Sequence, residues 1–277
     1  MDFKARVVFG DNLPVLKQLP DESINLIYID PPFNTGKKQS RTQIQVERDK
    51  KGDRIGFKGQ RYRTEVVGEM EYSDNYDDFI AFLAPRLKEA YRVLAANGTL
   101  YFHIDYREVH YCKILLDEIF GRLCFLNEII WAYDYGGRSK KRWPAKHDNI
   151  LVYVKNPDQY TFNTKDIDRI PYMAPGLVGE EKVKKGKLPT DTWWHTIVSP
   201  TGKEKTGYPT QKPIALLQRI ISASSNPGDM VLDFFAGSGT TGAAALELDR
   251  RLLLIDDNPE AIKVMRQRFQ GLPVEFL

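Results

Sequence analysis

Cysteine and histidine are scarce. The 277 residues include only two cysteines, Cys112 and Cys124, and four histidines. Two thiols exclude a disulfide framework and a cysteine-built zinc site, and they fit a reducing compartment. His110, His147 and His195 have no metal-ligand spacing with carboxylates, so no metal is expected. Long apolar runs are missing as well. No stretch approaches the ~20 residues that cross a bilayer, and the opening MDFKARVVFGDN lacks the apolar core of a signal peptide. The expectation is a cytoplasmic protein with no membrane partner. Internal repeats and low-complexity tracts are absent, and the net charge is only +3.

What is present is a chain with 42% apolar residues, enough for a sizeable core. The small net charge hides an asymmetry. Residues 36–64 carry ten Lys and Arg, including Lys37, Lys38 and Arg41, against three acids. A concentrated basic patch points to a polyanion. A second cluster, Arg138, Lys140, Lys141 and Arg142 with Lys146 and Trp143, follows Gly136-Gly137.

Ile24–Ile29 is an apolar run stopped by Asp30-Pro31-Pro32, as in a buried parallel strand. The 3.6-residue period of Phe79, Phe82, Leu83, Leu87, Ala90, Tyr91 and Leu94 predicts a helix over 76–94. Further strands are predicted at 99–104, 128–133, 149–154, 230–233 and 251–255, and further helices near 107–120, 213–224, 241–248 and 259–269. Periodicity fades over 156–208, which reads as an irregular insertion. Strand–helix alternation at both ends predicts an α/β fold, a Rossmann-like, doubly wound and mostly parallel sheet.

Two loops carry chemistry. Phe235-Ala236-Gly237-Ser238-Gly239-Thr240-Thr241 joins a strand ending at Asp233 to a helix. Its glycines allow close backbone approach, and a helix N-terminus favours negative charge. It is neither G-x-G-x-x-G nor a Walker loop. Asp256 closes the next strand, at the spacing where a carboxylate grips a ribose diol. The other loop is Asp30-Pro31-Pro32-Phe33. Its prolines remove two donors, so the turn presents acceptors beside an aromatic face. That suits an exocyclic amine on a flat ring. His103 and Asp105 read as a core histidine and a strand-end acid, and Trp131 and Tyr133 either flank a target base or fill the core.

Asp30–Phe33 with Asn34-Thr35-Gly36, followed in the chain by Phe234–Thr241, resembles the amino-methyltransferases that modify exocyclic nitrogens of DNA bases. The order of the two loops is similar to that of the β group. Tyr208-Pro209-Thr210-Gln211-Lys212-Pro213 is similar to the segment before the cofactor loop, although many members have His at the place of Tyr208. Gly10-Asp11-Asn12 resembles the short acidic motif near the cofactor adenine. The resemblance spans about 1–155 and 205–275.

The resemblance implies S-adenosylmethionine as cofactor and double-stranded DNA as substrate, with nucleoid association. It implies that Asp30, Pro31, Pro32 and Phe33 hold the target amine. The cofactor would meet Asp11, Asn12, Asp30, Lys212, Asp233, Phe235, Ala236, Gly237, Ser238, Gly239, Thr240, Thr241, Asp256, Asp257 and Asn258, with Lys212 and the backbone of 236–239 at its methionine end. Residues 1–155 and 208–277 would form the catalytic domain. Residues 156–207 would form a target-recognition insertion, with Lys182, Lys184, Lys185, Lys187, Trp193 and Trp194 as base readers. Residues 36–71 would form a basic, mobile DNA-contacting loop. A homodimer and a cognate restriction endonuclease are the protein partners implied. Adenine N6 is favoured over cytosine N4, because cytosine enzymes more often carry Ser at position 30. A nicotinamide-dependent oxidoreductase and a silent DNA-binding module are the alternatives from other classes.

Overall fold

The computed structural model describes residues 3–33, 39–48, 54–55, 61–72, 78–136, 139–199 and 202–277. A nine-stranded sheet runs through the molecule. Its strands are β1 (Ala5–Phe9), β2 (Ile24–Ile29), β6 (Leu94–Ile104), β7 (Phe125–Ala132), β8 (His147–Val154), β9 (Thr192–Trp194), β10 (Met230–Asp233), β11 (Arg251–Asp256) and β12 (Glu275–Phe276). The spatial order is β12-β1-β11-β10-β2-β6-β8-β7-β9. All neighbours are parallel except across β8, which runs against both β6 and β7.

Alternation along the strands builds two cores. Ile27 and Ile29 of β2, Leu100 and Phe102 of β6 and Leu253 of β11 point to one face. There they pack on α1 (Asn12–Gln18), α2 (Phe79–Val93) and α3 (Val109–Phe120). Leu26, Tyr28, Tyr101, Leu252 and Leu254 point to the other. They meet α5 (Ile214–Ser224), α6 (Thr240–Glu247) and α7 (Pro259–Arg268). Both faces are therefore covered, which is why the strands read as continuous apolar runs. Neighbouring β10 and β2 send their chains to α6 and α2 on opposite faces, which leaves a crevice beyond their carboxyl ends.

The structure corrects three expectations. First, residues 36–71 do not form a plain loop. Within them β3 (Gln39–Arg48), β4 (Arg54–Ile55) and β5 (Arg61–Tyr72) make a three-stranded antiparallel sheet. Arg41 lies on β3, paired with Met70, whereas Lys37 and Lys38 lie outside the described residues. Second, the 156–207 segment is tied into the main fold. It holds the short helix α4 (Glu180–Lys185) and contributes β9 as the sheet's edge, parallel to β7. Asn163 donates to Ser225 O at 2.8 Å, and Arg219 grips Asp168 with two hydrogen bonds of 2.7 and 2.6 Å. Third, Trp193 is a core residue, only 8% exposed, with its indole N–H on Thr190 O. It is not placed to read a base, whereas Trp194 is exposed.

α6 approaches the sheet closely because Gly242 has no side chain. A Cβ there would lie 2.7 Å from Leu254 Cδ1 and 2.9 Å from Phe269 Cζ, both on buried side chains. Overpacking of this kind costs about 1–3 kcal/mol. Gly242→Val should therefore lower the thermal midpoint by several degrees, measurable by circular dichroism. An unchanged midpoint would show that the helix–sheet gap yields freely.

Candidate active site

Four acids stand beyond the carboxyl ends of four adjacent parallel strands: Asp11 after β1, Asp256 on β11, Asp233 on β10 and Asp30 after β2. They line one cavity of about 490 Å³ together with Pro31, Phe33, Lys212 and the 234–241 loop. The register of Val231 against Leu26 sets the two sequence-distant loops side by side.

Each acid has its own task. Asp233 is buried, and accepts from Thr241 Oγ1 at 2.6 Å and from the Phe235 N–H at 3.0 Å. Burial pushes its carboxyl up to about 7, despite those two donors. Asp256 accepts from Gly237 N–H at 2.7 Å and Asn258 N–H at 2.9 Å, and burial pushes it up to about 6. Asp11 caps α1 through Leu13 N–H and pairs with Arg86 at 3.0 Å. Asp30 is in direct contact with the Lys212 ammonium through Oδ2. Its Oδ1 is buried and has no hydrogen-bond partner among the described residues.

The glycine loop is bound up in its own fold. Gly237 and Gly239 adopt φ of +50° and +70°, where a Cβ is strained. Gly239 also lies against α7, where a Cβ would come within 2.7 Å of Met265 Cγ. Ala236 N–H donates to Ile255 O, Gly237 N–H to Asp256, and Gly239 N–H to Ala236 O. These three donors are occupied within the fold. Ser238 and Thr240 are joined by their hydroxyls, and Arg268 donates to Ser238 O and Thr240 Oγ1, both at 2.8 Å. Asp257 and Asn258 reach the cavity from the turn after β11, where Asn258 caps α7.

Further contacts complete the lining, and among them Arg86 carries no signal in the sequence. Arg86, on α2, donates from Nε to Asn12 Oδ1 at 2.6 Å, while Asn12 Nδ2 donates to Phe234 O at 2.6 Å. The Tyr208 ring rests against Gly237, 3.2 Å from the place of a Cβ. Tyr28 is fully buried, and its hydroxyl lies 2.8 Å from His103 Nδ1. Burial, and next the carboxylate of Asp30, push that phenol well up, so it keeps its proton.

A second cavity of about 350 Å³ adjoins the first. Phe33, Tyr208, Thr210 and Lys212 line both. Its far wall is Trp131, Tyr133 and Asp148. Trp131 is buried, with its indole N–H on His195 O at 2.7 Å, and Tyr133 donates to Asp148 at 3.2 Å. His103 is fully buried, bridges Tyr28 and Asp148, and packs 5.9 Å from the Phe33 ring. Burial raises the Asp148 carboxyl, but the His103 hydrogen bond and the Lys212 charge outweigh it and hold it below the usual range. An ionised Asp148 only accepts, so His103 donates to it from Nε2.

Lys140, Lys141 and Arg142 lie exposed on the turn between β7 and β8, and Arg138 lies outside the described residues. Among the described residues no group of three metal-binding side chains occurs. No helix among them is long and apolar enough to cross a membrane.

The sequence profile of the DNA methylase family matches residues 24–267. This chain belongs to that family. The DNA methylase is 32% identical over 266 residues to the Type II methyltransferase M.HpaI of Haemophilus parainfluenzae, covering 96% of this chain and 74% of the relative. It is 33% identical over 275 residues to the DNA adenine methyltransferase YhdJ of Escherichia coli strain K12, covering 95% and 81%. Two solved structures share the methylase's fold. The M1.HpyAVI–SAM complex superposes with a TM-score of 0.62 at 22% identity, covering 96% of this chain and 99% of that one. The cytosine-N4-specific PvuII DNA methyltransferase superposes with a TM-score of 0.63 at 17% identity, covering 96% and 86%. Family membership sets aside the nicotinamide-dependent oxidoreductase.

The raised carboxyl of Asp233 makes the stability of the methylase depend on pH. The unfolded acid releases its proton near pH 4, whereas the folded one holds it to about 7. Between these values the folded state binds more protons, so this contribution is full in acid and lost as pH rises through 7. Asp233→Asn removes the titration. In urea unfolding of the ligand-free protein, the variant should gain on the wild type between pH 5 and pH 8. A pH-independent difference would contradict the assignment.

Proposed function

We propose that the protein transfers a methyl group from S-adenosylmethionine to the exocyclic amine of a DNA base, adenine N6, flipped out of its duplex. The observation that carries this reading is the Asp30 carboxylate. One oxygen is fixed by Lys212, and the other is buried, with no hydrogen-bond partner among the described residues, in a turn that lines the larger cavity. An orphaned buried acceptor is costly unless a ligand supplies its donor. An amino group has N–H donors to give.

The larger cavity fits the cofactor. A ribose diol suits the Asp256–Asp257 end, an adenine amine suits Asp11, and a sulfonium and an ammonium suit a rim of carboxylates. When bound, S-adenosylmethionine supplies an electrophilic methyl group. The chain's own part is to present the amine. Its lone pair is delocalised into the ring and is a poor nucleophile. Acceptance of its N–H bonds by Asp30 Oδ1 and the Pro31 carbonyl favours a pyramidal nitrogen with a localised pair. Phe33 offers a stacking face, itself backed by His103. The 350 Å³ cavity is the slot for the base, walled by Trp131 and Tyr133. A base inside a duplex cannot reach such a slot, so flipping is part of the reaction. Positioning supplies much of the rate in such a transfer.

Asp30 in place of Ser, and the adenine methyltransferase YhdJ among the relatives, support adenine over cytosine. The Type II designation of M.HpaI supports a cognate endonuclease as a partner. A DNA substrate supports a cytoplasmic location beside the chromosome. The activity is tested by expressing the protein in a methylation-free host and sequencing the genomic DNA with single-molecule long reads. N6-methyladenine in one recurring motif is the expected result. N4-methylcytosine would transfer the reading to the smaller base, and no modified motif would overturn it. Asp30→Ala should lower methyl transfer about 100-fold or more, the scale of a lost charge-assisted contact at a reacting group. Its cofactor affinity by calorimetry should stay within a few-fold. Near-normal turnover would remove Asp30 from its role.

A further inference from the structure

Trp143 is 95% exposed, on the turn between β7 and β8. Single apolar side chains on a surface are common, but this one is held there. The Ser139 hydroxyl accepts from the N–H groups of Lys141 at 3.1 Å and Arg142 at 3.2 Å, which closes a turn just before it. Pro144 follows and biases Trp143 towards extended backbone. The base of the turn is pinched by Lys146 Nζ on Gly136 O at 2.7 Å and by Tyr133 N–H on Lys146 O at 3.0 Å. The indole borders a hollow that it shares with Lys140, Lys141, Arg142 and Lys146.

The feet of this turn are walls of the base slot. Tyr133 enters the turn, Asp148 follows its end, and the two are hydrogen-bonded at 3.2 Å. Trp143 stands five residues before Asp148. A chain of that length spans at most about 18 Å, or roughly five base-pair rises. The gap that a base drawn into the slot leaves in its duplex must lie within that distance for the indole to reach it.

We propose that Trp143 enters the duplex where the target base has left and stacks on the bases that flank the gap, while the neighbouring cations take the adjacent phosphates. An indole offers a π-face that stacks on any base without reading sequence. Apolar side chains that part a base step act in the same way. The bound, flipped state is then held from two sides, by Asp30 and Phe33 on the extruded base and by Trp143 in the stack. This role rests on the DNA amino-methylation proposed above.

The test uses a duplex carrying a sequence that the wild type methylates in host DNA, in two versions. In one the target base is paired. In the other it faces an abasic site, so no pairing opposes its extrusion. On the paired duplex, Trp143→Ala should lose about ten-fold or more in kcat/KM, the size of one base–aromatic stack, and Trp143→Phe should lose little. On the abasic duplex, Trp143→Ala should return to within about two-fold of the wild type. An equal loss on both duplexes, or no loss on either, would overturn the proposal. Absence of any methylated motif in the host DNA, from which the duplex sequence is taken, would overturn the underlying activity as well.

Discussion

A carboxylate in the larger cavity meets an ammonium that borders both cavities of the site. Asp30 and Lys212 come from positions 182 residues apart, and their side chains are only 15% and 11% exposed. Burying such a pair gains little by itself, because desolvation consumes most of the Coulomb attraction. Its value lies in geometry. One oxygen of Asp30 is fixed by Lys212, and the other is left without a hydrogen-bond partner among the described residues. Lys212 is itself held by a hook of chain before α5. Gln211 Nε2 donates to Glu204 O at 2.7 Å, Thr206 N–H donates to Gln211 Oε1 at 2.8 Å, and Glu204 receives the Ile214 N–H at 3.1 Å. Tyr208 of the same hook rests on Gly237 of the glycine loop. The hook thus touches both loops that carry the chemistry.

The sheet supplies the rest of the precision. Adjacent parallel strands deliver their carboxyl ends to one edge, and four acids accumulate there. Two of them, Asp233 and Asp256, are already engaged with the backbone of the loops they support. They shape the cavity as much as they line it. Behind the base slot, the Tyr28–His103–Asp148 chain fixes the ring on which Phe33 packs. These three polar groups thereby satisfy one another in a line that runs from the wall of one cavity to the wall of the other.

The strands and helices around the site were legible in the sequence because they are buried on both faces and leave strong apolar periods. Ile24–Ile29 and Met230–Asp233 needed no partner to be seen. The Gln39–Arg48 strand did not show itself. Its residues are mostly polar on both alternations, so no apolar period marks it, and pairing with Arg61–Tyr72 defines it. β9 was hidden for another reason: three residues carry no period, and only register against β7 makes them a strand. Trp193 followed it into the core. In the site, the Asp30 turn and the glycine loop were legible from their chemistry. The Lys212–Asp30 contact, the internal use of the Ala236, Gly237 and Gly239 amides and the part played by Arg86 were not. Each depends on which side chains the folded sheet brings within reach.

The most direct test of this account is a double-mutant cycle between Asp30 and Lys212. The single-turnover rate of methyl transfer would be measured for the wild type, Asp30→Asn, Lys212→Met and the double variant, with cofactor saturating. If Lys212 acts by holding Asp30, its loss costs nothing further once the carboxylate is gone, and the double variant matches Asp30→Asn alone. Costs that multiply across the cycle would show that Lys212 works on another part of the reaction, and would contradict the arrangement on which the site is built.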